Sequence, residues 1–260
     1  MDIAQIEKRL SGLTIPQVRY LQSTASTNAD ALTWAEAGAP DGALVVADEQ
    51  TAGRGRLNRH WVTRAGAALA FSLVLRPSAD ESPHAALFSA LGGLAVQSAL
   101  AQDFGLQAQV KWPNDVLVGG RKVCGVLVES IWTGEVPACV VVGIGINITP
   151  DALPPSEQLL FPATCLEAET GHTLDRLDVL ASVLQQFFAW RPQLGSAQLI
   201  HAWQERLAYR GESVRLDAAM GGQATVGVLL GLNSAGDLRL RLADGTEIAV
   251  NAGELSLRLN

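Results

Sequence analysis

A glycine- and arginine-rich segment, residues 49–61, lies between two apolar runs at residues 43–47 and 68–75. Each run has the length of a buried strand, and Pro77 ends the second one. The pattern therefore predicts a loop that joins two strands of a sheet. Disordered RNA-binding tails also contain Gly-Arg repeats, but this unit occurs once and is flanked by strand-like runs, which disfavours that interpretation.

The charge of this loop predicts a negatively charged ligand. Its glycines let a ligand approach the main chain, while Arg54, Arg56 and Arg59 carry permanent charges suited to carboxylate or phosphate. Residues 50–79 contain no Asp or Glu, in a chain of net charge −7. An ordinary surface hairpin with solvated charges is the alternative, and this segment alone does not decide between the two.

The composition is that of a globular protein of one large or two smaller domains, with 260 residues, 48% apolar and 17% charged. A pI near 5.1 argues against general binding to nucleic acid or membranes. The N-terminal residues lack the pattern of a signal peptide, and no apolar stretch is expected to reach the length of a membrane span, so we expect a cytoplasmic protein. The three cysteines lie far apart without metal-ligand spacing, which predicts reduced core thiols.

Apolar periodicity, caps and stop signals predict a mixed α/β fold (α+β). Helices are expected near residues 3–12, 29–37, 84–104, 174–190 and 197–207, and strands near 18–21, 115–118, 123–128 and 138–142. Residues 149–164 are Pro-rich and predict a loop. From residue 212 to 259, short alternating strands with turn signals predict a small β-barrel of about five strands. We place the domain boundary between residues 208 and 209.

Residues 110–129 carry a lysine and an aspartate near the ends of neighbouring predicted strands. Gly119-Gly120 is a tight-turn dipeptide that joins these strands, so Lys122 lies at the start of the second one. Asn114 and Asp115 are typical turn residues. Turn chemistry alone accounts for the pattern. A site in which the lysine and the aspartate serve two halves of one reaction accounts for it as well.

Two shorter motifs are ambiguous in the same way. Ser26, Thr27 and Asn28 precede a predicted helix, where they either cap the helix or hydrogen-bond a small polar ligand. The Gly-x-Gly of residues 143–147 is expected to end a strand and is weak support for a nucleotide site. The sequence contains neither the dinucleotide-binding Gly-x-Gly-x-x-Gly pattern nor a Walker motif.

In order and approximate spacing, these motifs resemble those of the biotin protein ligases across nearly the whole chain. The resemblance is carried by Ser26-Thr27-Asn28, Gln50 to Trp61, Lys111-Trp112-Pro113-Asn114-Asp115, Arg121-Lys122 with Gly125, and Gly143-Ile144-Gly145-Ile146-Asn147. Two features depart from the family pattern. Leu57-Asn58 stand where some members carry Arg-Gly, and the Pro-rich loop lacks the tryptophan that in some members orders over the adenine. The N-terminal DNA-binding domain of the bifunctional members is expected to be absent, and with it the repressor function.

The resemblance implies a fold and a reaction. The fold is a mixed α/β catalytic domain of the class II synthetase-like biotin/lipoate ligase type, here residues 1–208, followed by an SH3-like barrel, residues 209–260. The reaction joins biotin and ATP into biotinyl-5′-AMP with release of pyrophosphate, and then transfers the biotinyl group to a lysine of a biotin carboxyl carrier protein. Mg²⁺ is expected on the phosphates rather than in a site made by side chains.

The implied partner is the carrier domain of acetyl-CoA carboxylase or of another biotin-dependent carboxylase, with neither DNA nor a membrane involved. The sequence leaves open whether the chain is a monomer or a homodimer.

The resemblance also assigns a role to individual residues. The catalytic residues are expected to be Lys122, Arg54 and Asp115. Biotin is expected to contact Ser26, Thr27, Asn28, Gln50, Gly53, Arg54, Gly55, Arg56, Trp61, Lys122 and Gly125. The nucleotide is expected to contact Arg56, Arg59, Trp112, Asn114, Lys122 and Asn147. Within these sets, the resemblance implies that the ureido ring is bound by Ser26, Thr27, Asn28 and Gln50, and that Asp115 orients or deprotonates the incoming lysine.

Two other functions are compatible with parts of the pattern. A lipoate or octanoate ligase or transferase shares the implied fold and needs a lysine, but not this loop with an upstream Ser-Thr-Asn. A non-catalytic regulator that binds biotin or an adenylate is disfavoured by the presence of Lys122 and Asp115.

Overall fold

The computed structural model describes the whole chain except Asn58, Val62, Ser156, Gln158, Leu160, residues 219–223, residues 252–254 and Asn260. Within the described residues, seven strands form one mixed sheet. In chain order they are β1 (Val18–Leu21), β2 (Ala43–Ala47), β3 (Ala68–Leu75), β4 (Ala108–Lys111), β5 (Asp115–Val118), β6 (Arg121–Thr133) and β7 (Val136–Asn147). Their spatial order is β1-β2-β3-β7-β6-β5-β4. The pair β1–β2 is parallel and the others are antiparallel.

The centre of this sheet is apolar and fully covered. β3 is buried along its whole length, as expected for a strand packed on both faces. The glycine- and arginine-rich segment connects β2 to β3, which confirms the predicted loop between neighbouring strands. The predicted fold class is therefore confirmed.

Helices cover the sheet. They are α1 (Ile3–Leu10), α2 (Thr27–Glu36), α3 (Phe88–Asp103), α4 (Leu166–Thr170), α5 (Arg176–Trp190) and α6 (Ala197–Glu205). Asp2, Asp175 and Ser196 cap α1, α5 and α6 by accepting hydrogen bonds from backbone N–H groups of the first turn. These starts lie within a few residues of the predicted ones.

The helix predicted from residue 84 begins as a 3-10 segment, Ser82–Leu87, and becomes α-helical at Phe88. A Cβ atom on Gly92 would lie 2.9 Å from Val126 Cγ1, so the glycine permits close packing of α3 on the sheet. By length and composition alone, Ser82–Asp103 could cross a membrane, so the sequence expectation of no such stretch was wrong. Because 78% of its most apolar window is buried inside the protein, it is a core helix of the fold.

One strand differs from the prediction. The Gly-x-Gly of residues 143–147 was expected to end a strand, but β7 continues through Asn147. Gly143 pairs with Ser72 of β3, and Gly145 pairs with Gly125 of β6. The glycines therefore lie in the middle of the sheet, where a missing side chain leaves space above the strand.

The C-terminal region forms a second sheet. Its described strands are β8 (Ser213–Ala218), β9 (Thr225–Leu232), β10 (Leu238–Arg241), β11 (Glu247–Val250) and β12 (Leu255–Leu259), in the order β11-β10-β9-β8-β12. The predicted turns are present: Asn233 Oδ1 accepts hydrogen bonds from two backbone N–H groups of its turn, and Gly245 has φ +85°. This antiparallel sheet is consistent with the expected SH3-like domain.

The C-terminal sheet contacts the rest of the protein through α6 and through Trp112, which follows β4. Trp112 Nε1 donates to the Gly236 carbonyl at 3.2 Å, and the backbone N–H of Leu232 donates to Gln204 Oε1 at 3.1 Å. Buried apolar residues form one continuous cluster from the large sheet into the small one. The boundary between residues 208 and 209 stays a prediction.

Candidate active site

Two adjoining cavities lie beneath the glycine- and arginine-rich segment. The first encloses about 140 Å³, and the second about 450 Å³. They share the lining residues Arg59, His60, Trp61, Lys111, Asp115 and Lys122. Of the predicted site residues, the first cavity is lined by Ser26, Thr27, Asn28, Gln50, Arg54, Gly55, Arg56, Arg59, Trp61, Trp112, Asn114, Asp115, Lys122 and Gly125. Asn147 lines the second cavity, and Gly53 lines neither.

One end of the first cavity is neutral and held by side-chain hydrogen bonds. Ser26, Thr27 and Asn28 are buried at the start of α2. Ser26 makes no side-chain cap hydrogen bond, so capping does not account for the motif. The backbone N–H of Thr27 donates to Gln50 Oε1 at 2.9 Å, and Ser72 Oγ lies 2.8 Å from Thr27 Oγ1 and 2.6 Å from Asn28 Oδ1. Ser72 was not among the predicted residues, because a single serine in an apolar strand gives no sequence signal.

The glycine- and arginine-rich segment folds as a hairpin over the cavity. Arg54 forms a β-bridge with His60, and the backbone N–H of Trp61 donates to the Gly53 carbonyl at 2.8 Å. A Cβ atom on Gly53 would lie 2.5 Å from the Trp61 carbonyl oxygen, so a larger residue there would push the two arms apart. Gly53 thus shapes the loop from outside the cavity.

Leu57 lies at the tip of this hairpin with φ +57°. A left-handed conformation costs a non-glycine residue roughly 1–2 kcal/mol. The departure from the family pattern noted in the sequence therefore places a strained leucine at the tip. Asn58, the second residue of that departure, lies outside the described residues.

An aromatic wall borders the cavity. A Cβ atom on Gly145 would lie 2.5 Å from Trp61 Cε2, and one on Gly125 would lie 3.4 Å from Trp61 Cζ3. The indole ring therefore lies on the surface of β6 and β7 that the two glycines leave bare. The second glycine of the Gly-x-Gly motif, Gly145, therefore lets the Trp61 ring pack directly on the backbone of β7.

The other end of the cavity carries an aspartate between two lysines. Asp115 Oδ1 lies 2.6 Å from Lys122 Nζ, and Asp115 Oδ2 lies 3.5 Å from Lys111 Nζ. Burial by itself would raise the pKa of Asp115, but Lys122 and Lys111 together hold it below its ordinary value. Asp115 is therefore an anion at neutral pH, and the three groups together carry a net positive charge.

Lys111 is a site residue that the prediction omitted, although it belongs to a quoted motif. It is buried, its Nζ lies 4.2 Å from the centroid of the Phe161 ring, and it lines both cavities. Burial lowers the pKa of Lys111, which marks an incompletely solvated ammonium. The sequence signal was the motif Lys111-Trp112-Pro113-Asn114-Asp115, and the structure shows that its two ends pair across the turn that joins β4 to β5.

The arginines have different surroundings. Arg54 Nη2 lies 3.0 Å from Glu129 Oε2, a carboxylate on β6 that the sequence did not single out. Arg56 Nη1 donates to Asn114 Oδ1 at 3.4 Å, and burial lowers the pKa of Arg56. A partly buried guanidinium favours an anionic ligand, because its charge has lost part of its hydration.

Two residues that were predicted to contact the nucleotide form hydrogen bonds within the protein. The Trp112 indole is buried and hydrogen-bonded to the carbonyl of Gly236, so it joins the large sheet to the small one. The Asn147 amide donates to the Thr164 carbonyl at 3.0 Å. Their contacts with a nucleotide stay predictions.

The small sheet also reaches the site, which the sequence did not predict. Leu257 of β12 lines the first cavity, and its neighbour Arg258 lines the second.

The described residues do not build a metal centre. Among them, no three or more His, Cys, Asp and Glu side chains lie close enough together to hold a metal ion. Both Asp115 oxygens face lysine ammonium groups. The described cysteines, Cys124, Cys139 and Cys165, are buried and unpaired.

Comparisons with known proteins agree with this geometry. Residues 20–147 match the model of the Biotin/lipoate A/B protein ligase family. A biotin--[acetyl-CoA-carboxylase] ligase of Paracoccus denitrificans is 40% identical over 235 residues, which cover 88% of this chain and 95% of that protein. The bifunctional ligase/repressor BirA of Bacillus subtilis is 36% identical over 170 residues, 65% of this chain and 51% of that protein. The structure of a biotin protein ligase from Aquifex aeolicus in complex with biotin and ATP has a TM-score of 0.81 and 31% identity, covering 94% of this chain and 100% of that one.

Proposed function

This chain belongs to the biotin/lipoate A/B protein ligase family, and we propose how its residues carry out ATP-dependent ligation of biotin to a carrier protein. Two relatives that match most of the chain, at 40% and 31% identity, are biotin--[acetyl-CoA-carboxylase] ligases, and the Aquifex protein of the same fold is in complex with biotin and ATP. The activity is that of a biotin–protein ligase with biotin and ATP as substrates. The roles of the individual residues are our proposal.

A single observation carries the assignment of roles. One cavity has a neutral hydrogen-bonding end around Thr27, an aromatic wall at Trp61 and a cationic end at Lys122. Biotin has the matching sequence of groups: a polar uncharged ureido ring, an apolar chain and a carboxylate. A buried polar cavity end requires a ligand with polar groups, because unpaired donors and acceptors cost about 1–3 kcal/mol each.

In the first half-reaction, a carboxylate oxygen of biotin attacks the α-phosphorus of ATP. The bond from this phosphorus to the bridging oxygen breaks, and pyrophosphate leaves. The two reactants are both anions, so the reaction requires fixed positive charge where they meet. We assign this task to Lys122, with Arg56 and Arg59 on the phosphates. A preorganised contact of this kind contributes about 10²–10³-fold to the rate.

In the second half-reaction, the amine of the acceptor lysine attacks the biotinyl carbonyl, and AMP leaves. The two lysines hold the pKa of Asp115 low, and a carboxylate with a low pKa is a weak proton acceptor at neutral pH. We therefore assign Asp115 to attract and orient the incoming lysine side chain. The proton that the attacking amine loses goes to solvent.

The second cavity is assigned to the adenosine part of ATP. Asn147 provides a polar side chain there, and Phe161 with Pro154 provides an apolar surface. Mg²⁺ would enter with the ATP phosphates, because the described residues do not fit a magnesium site of their own.

The protein partner is a biotin carboxyl carrier protein. We propose that it is the carrier domain of acetyl-CoA carboxylase or of another biotin-dependent carboxylase, and that ligation takes place in the cytoplasm. A net charge of −7 supports a function without DNA or membrane binding.

The test is to incubate the purified protein with ATP and Mg²⁺ and, separately, with biotin, lipoate or octanoate, and to measure pyrophosphate release. We expect release with biotin alone among the three acids, followed by labelling of an added carrier domain. Release with lipoate or octanoate and none with biotin would contradict the proposal.

A further inference from the structure

Glu129 is a partly buried carboxylate on β6 that the mechanism above does not use. Its Oε2 atom accepts a hydrogen bond from Asn28 Nδ2 at 2.8 Å and from Arg54 Nη2 at 3.0 Å. Asn28 belongs to α2, and Arg54 belongs to the hairpin over the cavity. A single oxygen atom thus joins the neutral end of the cavity to its cover.

The Asn28 side of this link is fixed. Asn28 Oδ1 accepts a hydrogen bond from Ser72 Oγ at 2.6 Å, and Nδ2 also donates to the Leu127 carbonyl at 3.2 Å. A Cβ atom on Gly143 would lie 2.0 Å from Asn28 Oδ1, so the amide packs directly on the bare backbone of β7. An amide held from both ends and from below cannot turn without breaking buried hydrogen bonds.

The Arg54 side of the link is less constrained. The Arg54 side chain is 44% exposed, against 27% for Glu129. It projects from the hairpin that covers the cavity. A charge-assisted hydrogen bond to a fixed acceptor is the kind of contact that selects one position of such a loop.

We infer that Glu129 is a positioning residue, which holds the hairpin closed over the cavity by tying Arg54 to the fixed amide of Asn28. This role rests on the proposed function, because closure matters when a reactive adenylate has to be retained until the acceptor lysine arrives. Glu129 does not touch the reacting atoms in this role. It acts on the rate at which the adenylate leaves the enzyme.

Glu129→Gln isolates the charge. The glutamine keeps an acceptor oxygen for Asn28 but loses the ionic partner of Arg54. We expect biotinyl-5′-AMP to dissociate about three- to tenfold faster, an effect reduced by the exposure of Arg54. Without a carrier protein, faster dissociation raises steady-state pyrophosphate release after the first turnover by the same factor. With the carrier present, the fraction of adenylate that reaches the acceptor lysine falls.

The experiment measures dissociation of labelled biotinyl-5′-AMP and pyrophosphate release from wild type, Glu129→Gln, Arg54→Gln and the double variant. If Glu129 acts through Arg54, the double variant loses the adenylate no faster than Arg54→Gln. Multiplied effects in the double variant, or wild-type dissociation from both single variants, would overturn the inference. Should Glu129→Gln fail to fold in a thermal unfolding test, Glu129→Asp takes its place, because it keeps the charge and shortens the reach to Arg54 and Asn28. Wild-type adenylate dissociation from a folded Glu129→Asp would then overturn the inference.

Glu247→Gln is the matched control. Glu247 lies in the small sheet and pairs with Arg239 and Arg241, so its substitution makes the same charge change away from the cavity. We expect wild-type adenylate dissociation from it. A wild-type protein that forms no adenylate would refute the proposed function itself. Adenylate formation by wild type with unchanged dissociation from Glu129→Gln would refute only the role of Glu129.

Discussion

At one end of the site, Thr27 and Asn28 are buried and hydrogen-bonded to Ser72, which is itself completely buried in β3. At the other end, Lys111 and Lys122 share one carboxylate, Asp115. The first end is lined by uncharged polar side chains, and hydrogen bonds to Ser72 hold Thr27 and Asn28 in position. The second end has more positive than negative charge among its three ionic groups.

The difference shows how one cavity can both bind a neutral ring and promote a reaction between two anions. A neutral ring is recognised by donors and acceptors that are already oriented, since each misplaced buried polar group costs about 1–3 kcal/mol. A reaction between two anions requires positive charge that the protein does not neutralise by itself. Substitutions at the two ends should therefore change different kinetic quantities.

Lys122→Ala tests the charged end with the largest expected effect. Adenylate formation should fall about 10²–10³-fold, because a fixed positive charge is lost where the two anions meet. Pyrophosphate release with biotin measures the loss, and thermal unfolding checks the fold. Lys8→Ala is the control for loss of a lysine and should leave the rate unchanged, because Lys8 lies exposed on α1. Wild-type pyrophosphate release by Lys122→Ala would remove the assigned role.

Asp115→Asn tests the balance of charge between the lysines. Removing one partner from a buried ion pair costs about 3 kcal/mol or more, and we expect a loss near the lower bound since Lys122 is partly exposed. Denaturant unfolding measures this change. Transfer from preformed adenylate to the carrier should slow more than pyrophosphate release does. Equal slowing of the two steps would argue against a role for Asp115 in orienting the acceptor lysine.

Ser72→Ala tests the neutral end. It leaves Asn28 Oδ1 without its donor, so we expect KM for biotin to rise about three- to tenfold with little change in kcat. Ser98→Ala is a matched control, because Ser98 is also buried. It lies on α3 and accepts a hydrogen bond from Trp190 Nε1 at 3.1 Å. The substitution should lower stability without changing KM. A fall in kcat with unchanged KM for Ser72→Ala would contradict the contrast between the two ends.

The smallest expected effect is the pH dependence of the Asp115 contribution. The folded protein holds the pKa of Asp115 below its ordinary value of 3.8, so the carboxylate stabilises the fold above that pH. This stability is lost as pH falls through the depressed pKa. The gap in unfolding free energy between wild type and Asp115→Asn should shrink by up to about 0.4 kcal/mol from pH 7 to 3.8, and further in stronger acid. A constant gap down to acid pH would contradict the pairing.

Much of the fold followed from local patterns. The apolar run at residues 68–75 predicted a strand, and the structure places it in the sheet as β3, buried along its whole length. The turn at Gly119-Gly120 was predicted from a dipeptide, and both glycines have positive φ. Most candidate site residues were also found from sequence. All the residues that were predicted from the family resemblance line one of the two cavities or both, with the exception of Gly53.

Residues 26–28, 50–61, 111–115 and 121–125 determine by themselves what chemistry is available: neutral donors and acceptors, forked cations, a lysine and an aspartate. Only the tertiary structure decides which of these groups meet. The register of β6 against β5 and β7 places Glu129 beneath Asn28 and Arg54, and Gly145 beneath Trp61. Strand register is set by pairing between distant parts of the chain. A lone glutamate or glycine in a strand therefore carries no local signal of what it will contact.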